Sequence, residues 1–365
     1  MSLHLQNIDH IVGGETHING LNLELEPGSF NVLLGRTLAG KTTLMRLMAG
    51  LEQPTQGRIF MDGRDVTGVS VRKRNVSMVY QQFINYPSLT VRDNIASPLK
   101  LAKTSPKEID QRVGSIAEML HIEHLLDRYP QELSGGQQQR TAMGRALVKD
   151  AELILFDEPL VNLDYKLREE LRDELRELFK ARNCIAVYAT TEPNEALALG
   201  GNTAVLHQGK LLQYGPTEQV YRIPNGRHSA EMFSEPPINI VPGKLTASEI
   251  TFDQTLHFPC DAELQRLPPG DYDFGVRASH ISLTPRSTDD LALSVQVDVA
   301  EISGSETFLH VRHEHFPLVL HLTGIHKFNM NDTINVYFPT HQLYAFDKHG
   351  STVHVPLAQG SAAHG

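Results

Sequence analysis

Short apolar runs alternate with helix-like patterns over the first two thirds of the chain. Residues 31–34, 153–156 and 184–190 are apolar runs of strand length. Residues 41–48 and 109–122 instead repeat apolar side chains at intervals of three and four, the spacing of a helix with one buried face. Strands that alternate with helices in this way predict an α/β fold.

The pattern changes after about residue 235. Prolines at positions 236, 237 and 242 are followed by short alternating runs such as residues 292–302 and 318–322, separated by turn residues. This alternation predicts a second, all-β domain. The predicted organisation is an α/β domain at residues 1–235, a β domain at residues 236–356 and a disordered tail at residues 357–365.

Composition narrows the function. A chain of 365 residues exceeds what one hydrophobic core usually serves, which agrees with two domains. A formal net charge of -10 argues against a nucleic-acid-binding surface, because such a surface needs basic side chains. The two cysteines, Cys184 and Cys260, form neither a metal-ligand spacing nor a disulfide framework, which favours a reducing compartment. We therefore expect a cytoplasmic protein with no nucleic-acid partner.

The apolar runs are far shorter than the roughly 20 residues that a membrane-spanning helix needs. The first ten residues, MSLHLQNIDH, lack the basic and apolar segments of a signal peptide. If membranes matter to its function, the chain is expected to dock onto a membrane protein.

A glycine-rich segment joins the first apolar run to a helical pattern, which is the context of a phosphate-binding loop. Its glycines let backbone amides close on phosphate oxygens, and the following helix presents free N–H groups and its positive dipole end. Lys41 would contact the β and γ phosphates, and Thr42 would ligate Mg²⁺. The predicted nucleotide-binding residues of this loop are Gly35, Arg36, Thr37, Leu38, Ala39, Gly40, Lys41, Thr42 and Thr43.

Residues 133–140 read Leu-Ser-Gly-Gly-Gln-Gln-Gln-Arg, about twenty positions before an apolar run that ends in Asp157-Glu158. This octapeptide resembles the signature motif of ATP-binding-cassette (ABC) ATPases. The resemblance implies a P-loop fold with a RecA-like core and ATP and Mg²⁺ as cofactors. It also implies a dimer in which one subunit reaches its neighbour's γ-phosphate with Ser134, Gly135, Gly136 and Gln137.

The same resemblance assigns roles to the polar residues that follow the strands. Asp157 lies at the end of a strand, where α/β sheets bind ligands, and matches the Walker B aspartate that holds Mg²⁺. Glu158 matches the residue that polarises the attacking water. Gln81 matches the glutamine that contacts Mg²⁺ and water, with Gln82 as the alternative register. The expected Mg²⁺ ligands are therefore Thr42, Gln81 and Asp157.

Residues 85–145 resemble the helical subdomain of ABC proteins, in which a groove receives a coupling helix of a membrane-spanning subunit. We place that contact at residues 86–90. Internal packing of Tyr86 and Leu89 is the alternative interpretation of the same residues.

Three positions depart from the ABC pattern. Thr191 stands where the switch histidine belongs, and deleting one such charge-stabilising donor costs on the order of 10²- to 10³-fold in rate. The expected catalytic set is thus Glu158, Gln81 and a weakened Thr191. Residues 1–29 contain no Phe, Tyr or Trp to stack on adenine; Val12 falls at the expected position, and His10 or His17 would substitute weakly. Leu38 occupies a loop position commonly taken by glycine.

These departures affect the site that the chain holds, whereas its signature, which serves the neighbour's site, is intact. This asymmetry favours a heterodimer with a second ABC ATPase subunit over a homodimer. A working homodimer in which Glu158 suffices remains the alternative.

The segment Gly-Val-Arg-Ala-Ser-His-Ile at residues 275–281 resembles a phrase of maltose-type importer ATPases, whose β domain is OB-like and regulatory. The resemblance implies an ATPase subunit of a bacterial importer of a carbohydrate or a glycerol-like polyol. Its expected partners are two permease subunits and, indirectly, a periplasmic binding protein, at the cytoplasmic face of the inner membrane. A largely non-catalytic nucleotide-binding scaffold and an iron or polyamine importer ATPase are the alternatives.

Overall fold

The computed structural model describes residues 1–82, 84–161, 163–252, 256–260, 262–287, 290–314 and 316–356. It forms two compact units, Met1–Thr217 and Glu218–Gly365. The break at Thr217 comes earlier than the boundary predicted at residue 235, which therefore falls inside the second unit. The predicted disorder of residues 357–365 lies outside the described residues.

The first unit contains ten strands and six α-helices among the described residues. The strands are β1 (Leu3–Val12), β2 (Glu15–Leu25), β3 (Phe30–Leu34), β4 (Gln56–Met61), β5 (Arg64–Asp65), β6 (Val76–Val79), β7 (Leu153–Asp157), β8 (Ile185–Thr190), β9 (Asn202–His207) and β10 (Lys210–Pro216). The helices are α1 (Lys41–Ala49), α2 (Val91–Leu101), α3 (Pro106–Met119), α4 (Gly135–Leu147), α5 (Tyr165–Ala181) and α6 (Pro193–Leu199).

Two sheets organise this unit. An antiparallel sheet has the order β2-β1-β4-β5, and a six-stranded sheet has the order β10-β9-β3-β8-β7-β6. Strands β3, β6, β7, β8 and β9 run parallel, and every residue of β7 and β8 is buried, as expected of strands covered on both faces. The three apolar runs predicted as strands correspond to β3, β7 and β8, which confirms the α/β architecture.

The parallel register brings three strand ends to one edge of the sheet. Leu34 of β3 pairs with Thr190 of β8, and Asp157 of β7 pairs with Ala189. The segments that follow these strands therefore begin side by side, which is where open α/β sheets bind their ligands.

Helices α2, α3 and α4 form the region predicted to be helical. Thr90, Ser105 and Ser134 cap their N-termini through side-chain oxygens that accept backbone N–H groups. Helices α2 and α4 pack closely, because a Cβ atom at Gly144 would lie 3.1 Å from Ile95 Cγ1. None of the helices in the described ranges is both long and apolar enough to cross a bilayer.

The second unit begins with two short helices and continues as strands. The helices are α7 (Thr217–Arg222) and α8 (Arg227–Met232). The strands are β11 (Asn239–Leu245), β12 (Glu249–Phe252), β13 (Leu256–Pro259), β14 (Gly270–Val276), β15 (Asp290–Ser303), β16 (Glu306–His313), β17 (Phe316–Thr323), β18 (Thr333–Pro339), β19 (Tyr344–Phe346) and β20 (Thr352–His354).

These strands form two antiparallel sheets, β13-β12-β11-β14-β19-β20 and β17-β16-β15-β18. Alternate residues of β15, β16 and β17 are buried, so one face of their sheet contributes to a core that includes Phe274, Leu309 and Phe338. The prediction of β structure after residue 236 is confirmed, and the arrangement is consistent with an OB-like domain.

Candidate functional site

The phosphate-loop segment connects β3 to α1 and is shaped by its two glycines. Gly40 has φ +101, in the left-handed region that favours glycine. A Cβ atom at Gly35 would lie 2.7 Å from the Leu206 carbonyl oxygen, and one at Gly40 would lie 2.9 Å from Ile18 Cδ1. Neither position accommodates a side chain, so the loop follows a tight path to the first turn of α1.

Lys41 begins α1 and is 5% exposed. Its ammonium group donates to the carbonyl oxygens of Gly35 at 2.7 Å and Arg36 at 3.3 Å, and it lies 3.3 Å from Glu158 Oε1. Burial lowers the pKa of Lys41, and the neighbouring carboxylate of Glu158 opposes that shift. The loop thus holds a desolvated positive charge at its base.

Thr42 and Asp157 form a second contact at this base. The Thr42 hydroxyl donates to Asp157 Oδ1 at 3.1 Å. Asp157 is 3% exposed at the end of β7, and burial raises the pKa of its carboxyl group, against the lowering effect of the Thr42 hydrogen bond. A carboxylate that stays ionised here is costly unless a cation joins it.

Glu158 has an unusual backbone for a glutamate, with φ +48. Its N–H donates to the Ala189 carbonyl at 3.1 Å, which ties it to β8. Its carboxylate lies between Lys41 and Gln81, because Gln81 Nε2 donates to Glu158 Oε2 at 3.3 Å. Gln82, the alternative register, is exposed as Gln81 is, and of the two Gln81 is the one with a described hydrogen bond to Glu158.

Lys41, Thr42, Gln81 and Glu158 line one cavity of about 490 Å³; Asp157 is not a lining residue and adjoins the cavity through its hydrogen bond with Thr42. Its lining residues are Glu15, Thr16, His17, Thr37, Leu38, Ala39, Gly40, Lys41, Thr42, Thr43, Gln81, Glu158, Gln208 and Gly209. Four of these lining residues were not predicted from the sequence: Glu15, Thr16, Gln208 and Gly209. No motif marks them; they reach the cavity because the β1–β2 and β9–β10 turns meet the loop, where Gly209 N donates to the Ala39 carbonyl at 3.0 Å.

The adenine-platform candidates separate clearly in the structure. Val12 is 52% exposed and does not line the cavity. His10 is buried, with its ring nitrogens 3.1 Å from the Gln53 carbonyl oxygen and 3.1 Å from Glu52 Oε2. Among the described lining residues, His17 is the only one with a ring.

Thr191 follows β8, is half-buried and is not among the cavity-lining residues. Its neighbour Thr190 is tightly held: the Thr190 hydroxyl donates to Glu195 Oε2 at 2.5 Å and accepts from Glu192 N at 3.0 Å. Tyr188 also donates to Glu195 at 3.0 Å, and burial raises the pKa of the Glu195 carboxyl group. The backbone at Thr191 therefore starts from a fixed strand end.

The signature residues form the start of α4. Ser134 Oγ accepts from Gln137 N at 3.4 Å, and Gln137 Oε1 accepts from Ser134 N at 2.9 Å, a reciprocal capping box. Gly135 and Gly136 occupy the first turn between them. None of these four residues is among those that line the cavity described above.

Two oxygen donors that line the cavity and one behind them, Asp157, fit a hard cation. Thr42 offers a hydroxyl, Asp157 a carboxylate and Gln81 an amide oxygen. Mg²⁺ in phosphate-processing sites is typically held by one or two carboxylates plus the phosphates. Over the described ranges no group of three or more His, Cys, Asp or Glu side chains forms a separate metal site.

The sequence model of the family described as ABC transporter matches residues 18–161. The chain is 37% identical to the xylose/arabinose import ATP-binding protein XacJ of Haloferax volcanii, over 96% of this chain and 95% of that protein. It is 35% identical to the sn-glycerol-3-phosphate import ATP-binding protein UgpC of Salmonella typhimurium, over 94% of this chain and 97% of that protein.

Two further likenesses bear on the site. The chain is 38% identical to the Fe(3+) ions import ATP-binding protein FbpC of Photobacterium profundum, over 77% of this chain and 79% of that protein. Among solved structures, it resembles the dimeric post-hydrolysis state of the ATP-binding cassette MJ0796 bound to ADP and Pi. The TM-score is 0.54 at 27% identity, covering 59% of this chain and 98% of that chain.

Proposed function

Because the chain belongs to the ABC transporter family, we propose that it is the ATP-hydrolysing subunit of an importer for a sugar or a glycerol-like solute. The observation that carries this proposal is how much of the chain aligns with its relatives. XacJ and UgpC, named for xylose/arabinose and for sn-glycerol-3-phosphate import, align with at least 94% of the chain, including its β unit. The alignment with the iron importer FbpC covers less of the chain, which makes an iron importer the second candidate.

The proposed chemistry begins with phosphate binding at the start of α1. Leu44 N donates to the Gly40 carbonyl at 2.9 Å as the first bond of the helix, so the N–H groups of the residues before it are available for phosphate oxygens. Lys41 supplies a positive charge on an ammonium group that is already buried. Together they would hold the β and γ phosphates.

Thr42, Asp157 and Gln81 are the residues that would hold Mg²⁺. When bound, this ion would neutralise charge on the transferred phosphoryl group. It would also offset the cost of the buried Asp157 carboxylate, which burial alone disfavours. Because burial raises the pKa of Asp157, a bound cation would favour the ionised form of this carboxyl group.

Glu158 is the proposed general base. Its carboxylate is oriented by Lys41 at 3.3 Å and Gln81 at 3.3 Å, and its left-handed backbone directs it into the cavity instead of along the strand. A group placed in this way can orient a water for attack on the γ-phosphate and accept its proton. Gln81, which contacts it, would report the state of the site to the segment that follows.

That segment is the proposed docking point for the permease subunits. The Asn94 side chain fixes its backbone: Oδ1 accepts from Tyr86 N, and Nδ2 donates to the carbonyls of Tyr86, Leu89 and Thr90 at 2.8 to 3.1 Å. Tyr86 itself is 48% exposed. A rigid backbone with an exposed aromatic side chain suits a groove that receives a helix. The chain would then lie at the cytoplasmic face of the membrane.

We further propose that the chain works beside a second, different ATPase subunit. The support is that Thr191 supplies no histidine at the switch position, while the signature cap at Ser134 and Gln137 is complete. A homodimer is the second candidate, and it is favoured by the dimeric form of the related cassette MJ0796.

One experiment separates these proposals. The ATPase rate of the purified chain is measured against protein concentration, with Glu158→Gln as the control for contaminating activity. A rate that rises with concentration and is abolished in the control supports the homodimer. ATP binding without control-sensitive hydrolysis supports a second ATPase subunit, which is then sought by affinity purification of the membrane complex.

The solute is tested in that complex. ATPase stimulation is compared for xylose, arabinose, sn-glycerol 3-phosphate and Fe³⁺, each with its binding protein. Stimulation by a sugar or by the glycerol phosphate supports the first candidate, whereas stimulation by Fe³⁺ alone overturns it.

A further inference from the structure

The first turn of α4 contacts two segments that both reach Glu158. Gln139 Nε2 donates to the carbonyl oxygen of Pro159, the residue next to Glu158. On the other side, Asn85 Nδ2 donates to the Gln138 carbonyl at 2.8 Å. Asn85 lies four positions after Gln81, which itself donates to Glu158. Glu158 is therefore linked to α4 by two routes. One runs through Pro159 to Gln139, and the other runs through Gln81 and Asn85 to Gln138.

The route through Gln139 is buried and stiff. Gln139 is 0% exposed, and Pro159 is buried with a fixed φ angle. Glu158 before it has φ +48, a backbone conformation that a following proline restricts further. A movement of the Glu158 backbone is therefore expected to carry the Pro159 carbonyl with it and to pull on the Gln139 amide.

The same turn of α4 carries the signature. Ser134 caps the helix and Gln137 completes the cap. Gln137 immediately precedes Gln138, whose carbonyl accepts from Asn85, and lies two positions before Gln139. A shift of this turn displaces the N–H groups that the chain would offer to its neighbour's γ-phosphate.

Gln139 also has unused bonding capacity. Its Oε1 has no hydrogen-bond partner among the described residues, although the side chain is fully buried. An apolar side chain of the same size would fill this position without the amide, so substitution at position 139 separates the hydrogen bond to Pro159 from the packing of the side chain.

We propose that Gln139 is a positioning residue that transmits the state of the chain's own Glu158 to the signature turn it presents to its neighbour. The inference rests on the proposed ATPase function. It assigns the chain's own site a role even where Thr191 weakens hydrolysis there, because that site would set the geometry of the signature.

The test uses the membrane complex purified through a tag on this chain. Gln139→Met removes the amide at nearly constant size. Thr141→Val is the matched control, because Thr141 is equally buried in α4 and, within the described ranges, its hydroxyl bonds inside the helix, to the Gln137 carbonyl at 2.9 Å. The ATP dissociation constant, kcat and the unfolding temperature are measured for both variants and for the unmodified complex.

We expect Gln139→Met to lower kcat by about three- to ten-fold, the equivalent of one ordinary hydrogen bond. Its ATP dissociation constant should stay within about two-fold, and Thr141→Val should change neither quantity by more than about two-fold. Asn85→Ala, which breaks the other route at a half-buried residue in an exposed segment, should give the same division between kcat and ATP affinity even if Gln139→Met folds poorly.

Two results would overturn the inference and are distinguishable. If Gln139→Met and Asn85→Ala behave like Thr141→Val while Glu158→Gln abolishes the rate, the ATPase function stands and the transmission role fails. If the rate of the unmodified complex is insensitive to Glu158→Gln, the proposed function fails and the inference with it.

Discussion

Lys41 and Glu158 face each other at the base of the cavity, with Lys41 Nζ and Glu158 Oε1 3.3 Å apart. The contact joins the phosphate loop to the end of β7, two segments that lie far apart in sequence and meet because their strands share one edge of the sheet. It places the Lys41 ammonium group, which would bind phosphate, next to the carboxylate of Glu158, the proposed base.

Lys41→Met is expected to weaken ATP binding by roughly 10- to 100-fold, because each charge-assisted hydrogen bond to phosphate is worth a few kcal/mol. Stability should change little, since the variant also removes the cost of burying the ammonium group. Titration with a fluorescent ATP analogue measures the affinity. Lys107→Met, at an exposed position of α3, is the matched control, and equal affinities for the two variants would contradict the assignment.

Asp157→Asn is expected to stabilise the protein at neutral pH while abolishing Mg²⁺-dependent hydrolysis. The pKa of Asp157 is raised by burial, so its ionised form costs stability. That cost is fully present above the raised pKa, shrinks as the pH falls towards the usual carboxyl range, and vanishes below it. We expect the unfolding temperature to rise by about 1–3 °C at pH 7, with the gain lost near pH 3.

Thermal unfolding with and without Mg²⁺ and ATP checks this prediction. The unmodified protein should gain stability from Mg²⁺ together with ATP, and Asp157→Asn should gain less. A lower unfolding temperature for the variant at pH 7 would show that the carboxylate is stabilised by its neighbours, Thr42 and Lys41, more than burial disfavours it.

The fold was predictable where apolar runs and turn residues coincide. The runs at residues 31–34 and 153–156 correspond to β3 and β7, and the helix after the phosphate loop begins at Lys41 as expected. The octapeptide at residues 133–140 identified the family because its chemistry is carried by consecutive residues. The first compact unit ends at Thr217, whereas the boundary predicted from the prolines lies at residue 235.

The site was less predictable wherever it depends on distant turns. Gln208 and Glu15 line the cavity only because two hairpin turns approach the loop, and the sequence has no local pattern for such an approach. The same holds for the Gln139 contact with Pro159, since a buried glutamine in a helical pattern resembles an exposed one. Among the adenine candidates, sequence position favoured Val12, whereas the hairpin brings His17 to the cavity.

Leu38 gives a prediction about backbone strain. It has φ +68, and its side chain is 94% exposed, so it bears the cost of a left-handed backbone without burying its apolar surface. That cost is about 1–2 kcal/mol for a residue with a Cβ atom, and the greater flexibility of glycine in the unfolded chain offsets part of it. Leu38→Gly should therefore stabilise the protein by about 0.5–1 kcal/mol.

Leu38→Ala is the control for that variant, because it shortens the exposed side chain but keeps the strained backbone. Denaturant unfolding of the two variants measures the difference in the free energy of unfolding. Equal stabilities for Leu38→Gly and Leu38→Ala would mean that the loop relaxes the strain elsewhere.

The Thr191→His variant tests the proposed difference between this chain and a second ATPase subunit. The strand end before Thr191 is fixed by the hydrogen bond between Thr190 and Glu195, so a longer side chain at position 191 starts from a rigid backbone, two residues after Ala189, whose carbonyl accepts from Glu158 N. A histidine there would add a donor for charge that develops on the γ-phosphate. In the purified chain alone, where no second ATPase subunit supplies a competent site, restoring one such donor is expected to raise kcat by about 100- to 1,000-fold. Thr191→Val, which removes the hydroxyl without adding a donor, should leave kcat within about two-fold.

A Thr191→His rate no higher than that of Thr191→Val would show that Thr191 does not limit hydrolysis. The homodimer would then be the better description of the working ATPase.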